Sequence, residues 1–189
     1  MKNKGDLGKK KKNKEEIEVK FRVKELASYR GRLKNLKAKV VWSGLESNIY
    51  FEGRNSFLSK QSKVLRAREW PGHSVSLTCK ASIPGKSNSK YDERIEEQVS
   101  LDGGDFDSLC KILEMVGFHK LVAYKKRREH WQMNKNVFVE LDMFHGKPFV
   151  EIEATKDKID EIAKLLGLDW EDRETKSYFK LAKERQGKK

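Results

Sequence analysis

The sequence predicts an α+β protein built on an eight-stranded antiparallel β-barrel, closed or nearly closed, with helices packed on the outside. About eight segments carry the period-two or β-branched pattern of strands, and most are joined by short turns. Segments with a helical period lie between them, and their apolar stripes need an apolar surface to cover. Closure of an antiparallel sheet removes its exposed edges, which makes a barrel the expected arrangement.

In the first half, strict alternation from Glu16 to Val23 predicts a half-buried strand. Leu26, Tyr29 and Leu33 then recur at helical spacing, so we expect a helix over residues 24–37. A turn at Pro71-Gly72 predicts a hairpin. The remaining strands of this half are expected at residues 40–52, 63–70, 74–82 and 90–100.

In the second half, Asp105 is a favourable N-cap for a helix that stops at Gly117. Thr155 is expected to cap another helix, which ends at Gly167, and a final helix holds Tyr178. Between these helices the pattern predicts strands at residues 120–128, 136–143 and 148–154.

Composition restricts the class of protein. The formal net charge is +13, of which +6 belongs to residues 1–14 and +7 to the remainder. We expect residues 1–14 to form a disordered lysine-rich arm and residues 15–186 to form one domain. The two cysteines have no metal-ligand spacing, and no apolar run suits a signal peptide or a membrane span, so a cytoplasmic protein without membrane contact is expected.

Charged residues share one face in strand after strand. A single such strand is usually one side of an ordinary sheet, with its charges in water. If helices cover the barrel from outside, however, the apolar faces point outward and the charged faces converge inside. The basic residues that would meet there are Lys20, Arg66, Arg68, Lys80, Arg94, Lys126 and Arg128.

Crowded cations of this kind favour a hydrated channel that attracts a polyanion, because arginine and lysine bind phosphate oxygens well. Acidic residues share the same faces and would repel a bare phosphate unless they hold a hard cation such as Mg²⁺ or Mn²⁺. These acids are Glu16, Glu18, Glu96, Glu140, Asp142, Glu151 and Glu153.

A series of short motifs resembles the CYTH family, also called triphosphate tunnel metalloenzymes. It begins with Glu16-x-Glu18-x-Lys20, which alone is weak, and continues in order almost to the end of the chain. The later motifs are Tyr50-Phe51-Glu52, Leu65-Arg66-Ala67-Arg68, Leu77-Thr78-Cys79-Lys80, Arg94-Ile95-Glu96, Lys126-Arg127-Arg128 with Trp131, Leu141-Asp142 and Phe149-Val150-Glu151-Ile152-Glu153. Gln98, Ala81 and the short turn at residues 145–148 depart from the family pattern.

The resemblance implies a triphosphate tunnel and assigns roles to its lining. Glu16, Glu18 and Lys20 are the implied catalytic residues. The implied metal ligands for Mg²⁺ or Mn²⁺ are Glu16, Glu18, Asp142, Glu151 and Glu153. The residues implied to bind triphosphate are Lys20, Arg66, Arg68, Lys80, Arg94, Lys126 and Arg128.

Two reactions fit such a site, and the sequence favours hydrolysis of a triphosphate over cyclisation of ATP by a class IV adenylate cyclase. Water is always present as a nucleophile, whereas no residues read as an adenine pocket. Inorganic triphosphate, ATP and thiamine triphosphate are the expected substrates of a monomer or homodimer. A basic nucleic-acid-binding module is the alternative of another class, supported by the lysine arm and by Trp42, Trp70 and Trp131 as surface aromatics. The arm could also add nonspecific nucleic-acid affinity to an enzyme.

Overall fold

A computed structural model describes residues 14–85, 89–101 and 105–187 of the chain. The predicted arm lies outside these residues except for Lys14, where the first strand begins. The strands are β1 (Lys14–Arg22), β2 (Lys39–Glu52), β3 (Lys63–Trp70), β4 (Ser74–Ser82), β5 (Asp92–Leu101), β6 (His119–Asn134), β7 (Val137–Phe144) and β8 (Lys147–Glu153). The α-helices are α1 (Ala27–Asn35), α2 (Phe106–Met115), α3 (Lys156–Leu165) and α4 (Tyr178–Gln186).

The eight strands form one closed antiparallel barrel in the order β1-β5-β4-β3-β2-β6-β7-β8. Strand β1 closes it by pairing with β5 through its first half and with β8 through its second. The predicted fold class is therefore confirmed. The register places Lys126 opposite Glu46 on one side, and Arg128 opposite Asp142 on the other.

The main hydrophobic core lies between the barrel wall and the helices outside it. Phe21, Val139 and Ile152 point outward from their strands and pack in one cluster with Ile159 and Leu166 of the α3 region. Because alternate residues face opposite sides of a strand, their charged neighbours must point into the barrel. The inward direction predicted for the charged faces is thus observed.

Several local predictions gain detail or need correction. Asp105 accepts a hydrogen bond from the Ser108 amide at 3.0 Å, as expected of an N-cap, whereas the Thr155 side chain makes no such bond at the start of α3. Strand β6 runs six residues beyond its predicted end, to Asn134. His145 and Gly146 form a two-residue turn with φ of +49° and +76°, so the short turn closes a tight hairpin.

The expectation that Trp42 and Trp131 lie on the surface is wrong, since they are 9% and 3% exposed. Trp131 lies on the part of β6 that continues beyond its predicted end, and it packs in the core cluster outside the barrel, whereas Trp42 stacks on Trp70. Within the described ranges, no helix combines the length and apolarity needed to cross a membrane.

Candidate active site in the barrel interior

The barrel encloses a cavity of about 580 Å³. All of the cations predicted to bind triphosphate line it, and so do four of the five predicted metal ligands, Glu16, Glu18, Glu151 and Glu153. The fifth, Asp142, is fully buried behind the cavity wall. The lysines and arginines that line it are Lys20, Lys63, Arg66, Arg68, Lys80, Arg94, Lys126, Arg128 and Lys180, of which Lys63 and Lys180 were not predicted.

One side of the cavity, here called the basic wall, consists of Arg68, Lys126 and Arg128 with the carboxylates of Asp142 and Glu46 behind them. Arg128 donates two hydrogen bonds to Asp142, with Nε to Oδ1 at 2.7 Å and Nη2 to Oδ2 at 2.6 Å. Lys126 Nζ adds a third contact to Asp142 at 2.9 Å. The cations are therefore held in place by the protein's own buried anions.

Glu46 is the second of these anions and was missed by the sequence analysis. Its side chain is wholly buried, and it accepts hydrogen bonds at 2.7 Å from both Asn48 Nδ2 and Trp70 Nε1. Burial alone would raise its pKa, but the coulombic attraction of Arg68, Lys126 and Arg128 holds the pKa of Glu46 well below its usual range. Glu46 thus remains charged and helps to fix the basic wall.

The opposite side of the cavity, here called the acid corner, consists of Glu16, Glu18 and Glu153. Glu18 on β1 pairs directly with Glu153 on β8. Glu16, two residues before Glu18, lies on the same face of β1. Burial raises the pKa of Glu18 to about 7, and the charge of Glu16 adds to the effect. The pKa of Glu16 is likewise raised to about 7, mainly by burial, although Lys80 opposes the shift.

Lys80 is the cation nearest the acid corner and is shared between carboxylates. Its Nζ donates to Glu16 and also lies 2.9 Å from Glu96 Oε2. Burial works against charge on Glu96, yet Lys80 lowers the pKa of Glu96 to about 2. Lys80 is therefore shared among Glu16, Glu18 and Glu96, whose negative charges raise the pKa of Lys80 against the effect of burial.

The acid corner offers only carboxylate oxygens, which are the donors that Mg²⁺ and Mn²⁺ prefer, so its chemistry fits the predicted metal. In the described part of the chain, no three Asp, Glu, His or Cys groups are already gathered into a metal-binding geometry. Glu151 is engaged with the cations of the other side, because its carboxylate contacts Lys20 at 3.2 Å and also Arg128. The ligand roles predicted for all five carboxylates, Glu16, Glu18, Asp142, Glu151 and Glu153, stay predictions.

Arg66 presents unsatisfied donor capacity to the cavity. It is 7% exposed, and its Nε finds no hydrogen-bond acceptor within the described ranges of the chain. Its Nη2 reaches Thr78 Oγ1 only at 3.5 Å. A buried guanidinium donor without an acceptor is costly, and an anion in the cavity would satisfy it.

One end of the barrel is covered by the segment that leads into α4. Tyr178 donates its hydroxyl hydrogen to Asp142 Oδ2 at 2.8 Å, and Lys126 Nζ lies 3.9 Å from the centre of its ring. Lys20 Nζ donates to the Lys176 carbonyl at 3.1 Å and lies 4.1 Å from the same ring. Tyr178 therefore orients both lysines, a role that the sequence did not signal because α4 is far from them along the chain.

Aromatic side chains occupy the other end of the basic wall. Trp70, His130 and Phe138 line the cavity, and Trp42 stacks behind Trp70 with ring centres 4.9 Å apart. Each lining ring occupies the inward position next to a charged one, since Trp70 follows Arg68 by two residues and His130 follows Arg128 by two. Trp70 was predicted to be a surface residue, and no role was predicted for His130 or Phe138.

Comparison with known proteins places these features in context. The CYTH domain model matches residues 14–186. A protein of Methanocaldococcus jannaschii named "Putative adenylate cyclase" is 26% identical over 177 residues, which cover 88% of this chain and 97% of that one. The solved structure of the PH1012 protein from Pyrococcus horikoshii has a TM-score of 0.72 at 27% identity, covering 88% of this chain and 98% of its own.

A plant protein from Hippeastrum has the same fold at lower similarity. Its TM-score is 0.58 at 18% identity, with coverage of 91% of this chain and 96% of that chain. It is described as a "Putative adenylyl cyclase" with a dominant triphosphatase activity.

Proposed function

The chain belongs to the CYTH domain family, and on that premise we propose that it is a divalent-metal-dependent phosphohydrolase acting on a triphosphate bound inside the barrel. The observation that carries the proposal is the meeting of two charge sets in one cavity. All seven cationic side chains predicted to bind triphosphate line it together with the carboxylates of the acid corner. Phosphoryl transfer needs these two elements, cations for the phosphates and carboxylates for a metal.

The basic wall is suited to bind phosphates because it is preorganised. Lys126 and Arg128 are already fixed by Asp142, so they need not reorganise when an anion enters. Arg66 brings a donor that the folded chain leaves unsatisfied. Together these groups would bind the oxygens of a chain of phosphates and offset the charge that develops during transfer.

The acid corner is suited to hold the metal, with Glu16, Glu18 and Glu153 as the ligands and Glu151 and Asp142 as the further predicted ones. A bound Mg²⁺ or Mn²⁺ would supply charge neutralisation and polarisation of phosphate oxygens. In the proposed reaction, Glu16 or Glu18 would accept a proton from the attacking water and orient this water towards the terminal phosphorus. Lys20, which contacts Glu151, would stabilise the negative charge of the transferred group.

The reaction is tested by separating products. The full chain is incubated with inorganic triphosphate and with ATP, each with Mg²⁺, with Mn²⁺ and with EDTA. We expect release of phosphate, with ADP as the product from ATP, and loss of this release in EDTA. Cyclic AMP with pyrophosphate would instead identify the class IV adenylate cyclase reaction, and release that persists in EDTA would contradict metal dependence.

Nucleic-acid binding is separated from this proposal by one variant. A binding module has no need of the acid corner, so Glu16→Ala would leave nucleic-acid affinity unchanged or improved. The enzyme would lose turnover by the same change. The burial of Trp42 and Trp131 removes two of the three aromatic residues on which the binding alternative depended.

A further inference from the structure

Strand β2 is paired on both sides over only part of its length. Strand β6 pairs with it from Lys39 to Glu52, whereas β3 pairs with it only from Ser47 to Phe51. Among the described residues, therefore, residues 39–45 have a neighbouring strand on one side only, and no backbone hydrogen bond from outside the barrel strands reaches them. This stretch, here called the open edge, has backbone N–H and C=O groups that a further strand could pair with.

The side chains of the open edge are exposed and partly apolar. Val40, Val41 and Leu45 are 49%, 43% and 44% exposed. The register with β6 shifts between Val40 and Trp42, so the alternation of faces is interrupted at Val41. Trp42 itself is 9% exposed and stacks on Trp70, which holds the strand against the barrel. A docked chain would cover apolar side chains that the barrel leaves in solvent.

Basic residues flank the open edge. Lys37 precedes it, Lys39 begins it, and Arg127 on β6 pairs directly with Leu45 at its end. All three cationic residues are exposed. Within the described part of the chain, none of the three forms an ion pair. Their charges are therefore available to a partner.

The acids near the open edge do not cancel this charge. Glu129 on β6 is already paired with Arg30 of α1, with Oε1 2.7 Å from Nε. Glu69 on β3 lies opposite Ser47, which pairs on its other side with Lys125, so this acid stands beyond the open edge and in line with a lysine of its own. A positive surplus remains along residues 39–45.

The free backbone groups require another extended chain, and the charge decides which one. A second copy of this chain, pairing its own open edge here, would bring two sets of Lys37, Lys39 and Arg127 together, and like charges across a strand pair are unfavourable. Lysines and bulges are also the features by which sheet edges avoid pairing with themselves. An acidic strand meets the same cations with the opposite charge. It would lie about 10 Å from β6, two strand spacings away, which glutamate and arginine side chains can span between them.

We propose that the open edge of β2 docks an acidic, extended segment of a partner protein, which adds a strand to the barrel wall. Backbone pairing supplies affinity that depends little on sequence. Lys37, Lys39 and Arg127 select carboxylate side chains, and small apolar residues at alternate positions cover Val41 and Leu45. The inference goes beyond the proposed function and does not depend on what the cavity binds.

The test measures the binding of fluorescent synthetic peptides to the full chain by anisotropy, at about 0.05 M salt, where surface charges are weakly screened. The probe alternates glutamate and valine over about seven residues, a common strand length. One control alternates lysine and valine, and the other has proline in place of the central valine of the probe. We expect the probe to bind at least about tenfold more tightly than either control, because one has the wrong charge and the other lacks a backbone donor.

Hydrogen exchange and charge reversals locate the binding, since the lysine-rich residues 1–14 would attract any acidic peptide. The amides of residues 39–45 that point away from β6 should exchange about tenfold more slowly with the probe bound. Lys39→Glu and Arg127→Glu should each raise the Kd of the probe about fivefold or more. Lys111→Glu is the matched control, because Lys111 is exposed on α2, which packs over Phe51 at the other end of β2, and it should change Kd less than about twofold.

Several outcomes overturn the inference. One is a probe that does not bind, and another is a proline peptide that binds equally well, because charge alone would then explain the binding. Equal losses in Lys39→Glu and Lys111→Glu would place the probe elsewhere. Dimerisation of the chain alone, with residues 39–45 protected as its concentration rises, would make the occupant a second copy. A single-stranded oligonucleotide that protects the same amides and binds more tightly than the probe would make the open edge a nucleic-acid site.

Discussion

The basic wall and the acid corner face each other across one cavity but balance their charges in opposite ways. In the basic wall, Lys126 and Arg128 form ion pairs with Asp142, which is completely buried. In the acid corner burial and mutual repulsion raise the pKa of Glu16 and Glu18, because Lys80 offsets only part of their charge. The difference indicates that the chain's own anions balance the charge of the basic wall, whereas the acid corner has the excess of carboxylates expected of the proposed metal site.

The largest expected effect falls on the buried anion of the basic wall. Asp142→Ala would remove the buried carboxylate that accepts hydrogen bonds from both Lys126 and Arg128, so we expect it to destabilise the protein by about 3–5 kcal/mol. Urea unfolding measures this free energy. Glu97→Ala, an exposed acid on β5, is the control and should change stability by less than about 0.5 kcal/mol. If Asp142→Ala is as mild as the control, the basic wall does not depend on its own anions.

The acid corner is tested by adding metal, which should raise stability where the loss of Asp142 lowers it. At a concentration one hundred times its Kd, Mn²⁺ should stabilise the folded chain by about 2.7 kcal/mol, which corresponds to a rise in Tm of about 5–10 °C. The measurement is a thermal melt of EDTA-treated protein with and without added Mn²⁺. If Mn²⁺ does not change the Tm, the carboxylates have no metal-binding role.

Glu18→Gln tests whether a carboxylate of the acid corner contributes to folding stability, as in the basic wall, or to metal binding. Removing one of the crowded carboxylates relieves repulsion, so metal-free stability should hold or rise by about 1 kcal/mol. The apparent Kd for Mn²⁺ should rise at least about tenfold, since even the partners of metal ligands contribute that much. Glu15→Gln, an exposed acid on the same strand, should leave the Mn²⁺ titration unchanged. A marked fall in the free energy of unfolding without metal would show that Glu18 stabilises the fold, which is the role expected of Asp142.

How far the sequence could predict this site depends on which physical rule places each residue. The period of two in a strand places Lys20 on one face with Glu18 and Arg66 on one face with Arg68, and their inward direction follows from the helices that cover the opposite, apolar faces. Glu46 obeys the same rule on β2, sharing its face with Asn48 and Tyr50. It was missed because Gly44 interrupts the strand pattern in the sequence, although the structure pairs residues 42–50 regularly with β6.

Other features needed the folded chain. The contact of Tyr178 with Asp142 joins residues 36 positions apart and depends on where α4 docks, which no local pattern encodes. The pairing of Arg128 with Asp142 depends on the register between β6 and β7. The position of His130 in the barrel wall could not be predicted, because β6 continues past Arg128, where the sequence pattern indicated the end of the strand.

The smallest expected effect distinguishes phosphate binding inside the cavity from attraction of the substrate by the overall positive charge. Arg127 lies between Lys126 and Arg128 on β6, but its side chain points outward and is exposed. Arg127→Ala and Arg68→Ala remove the same charge from the two faces of the barrel. If the cavity binds the phosphates, Arg68→Ala should raise the KM for triphosphate about tenfold, because it removes a charged hydrogen-bond donor from the site. At about 0.15 M salt the outer charge is screened, so Arg127→Ala should change KM by less than about twofold. Equal effects of the two variants would mean that net charge attracts the substrate and that the inward direction of the arginines is irrelevant to binding.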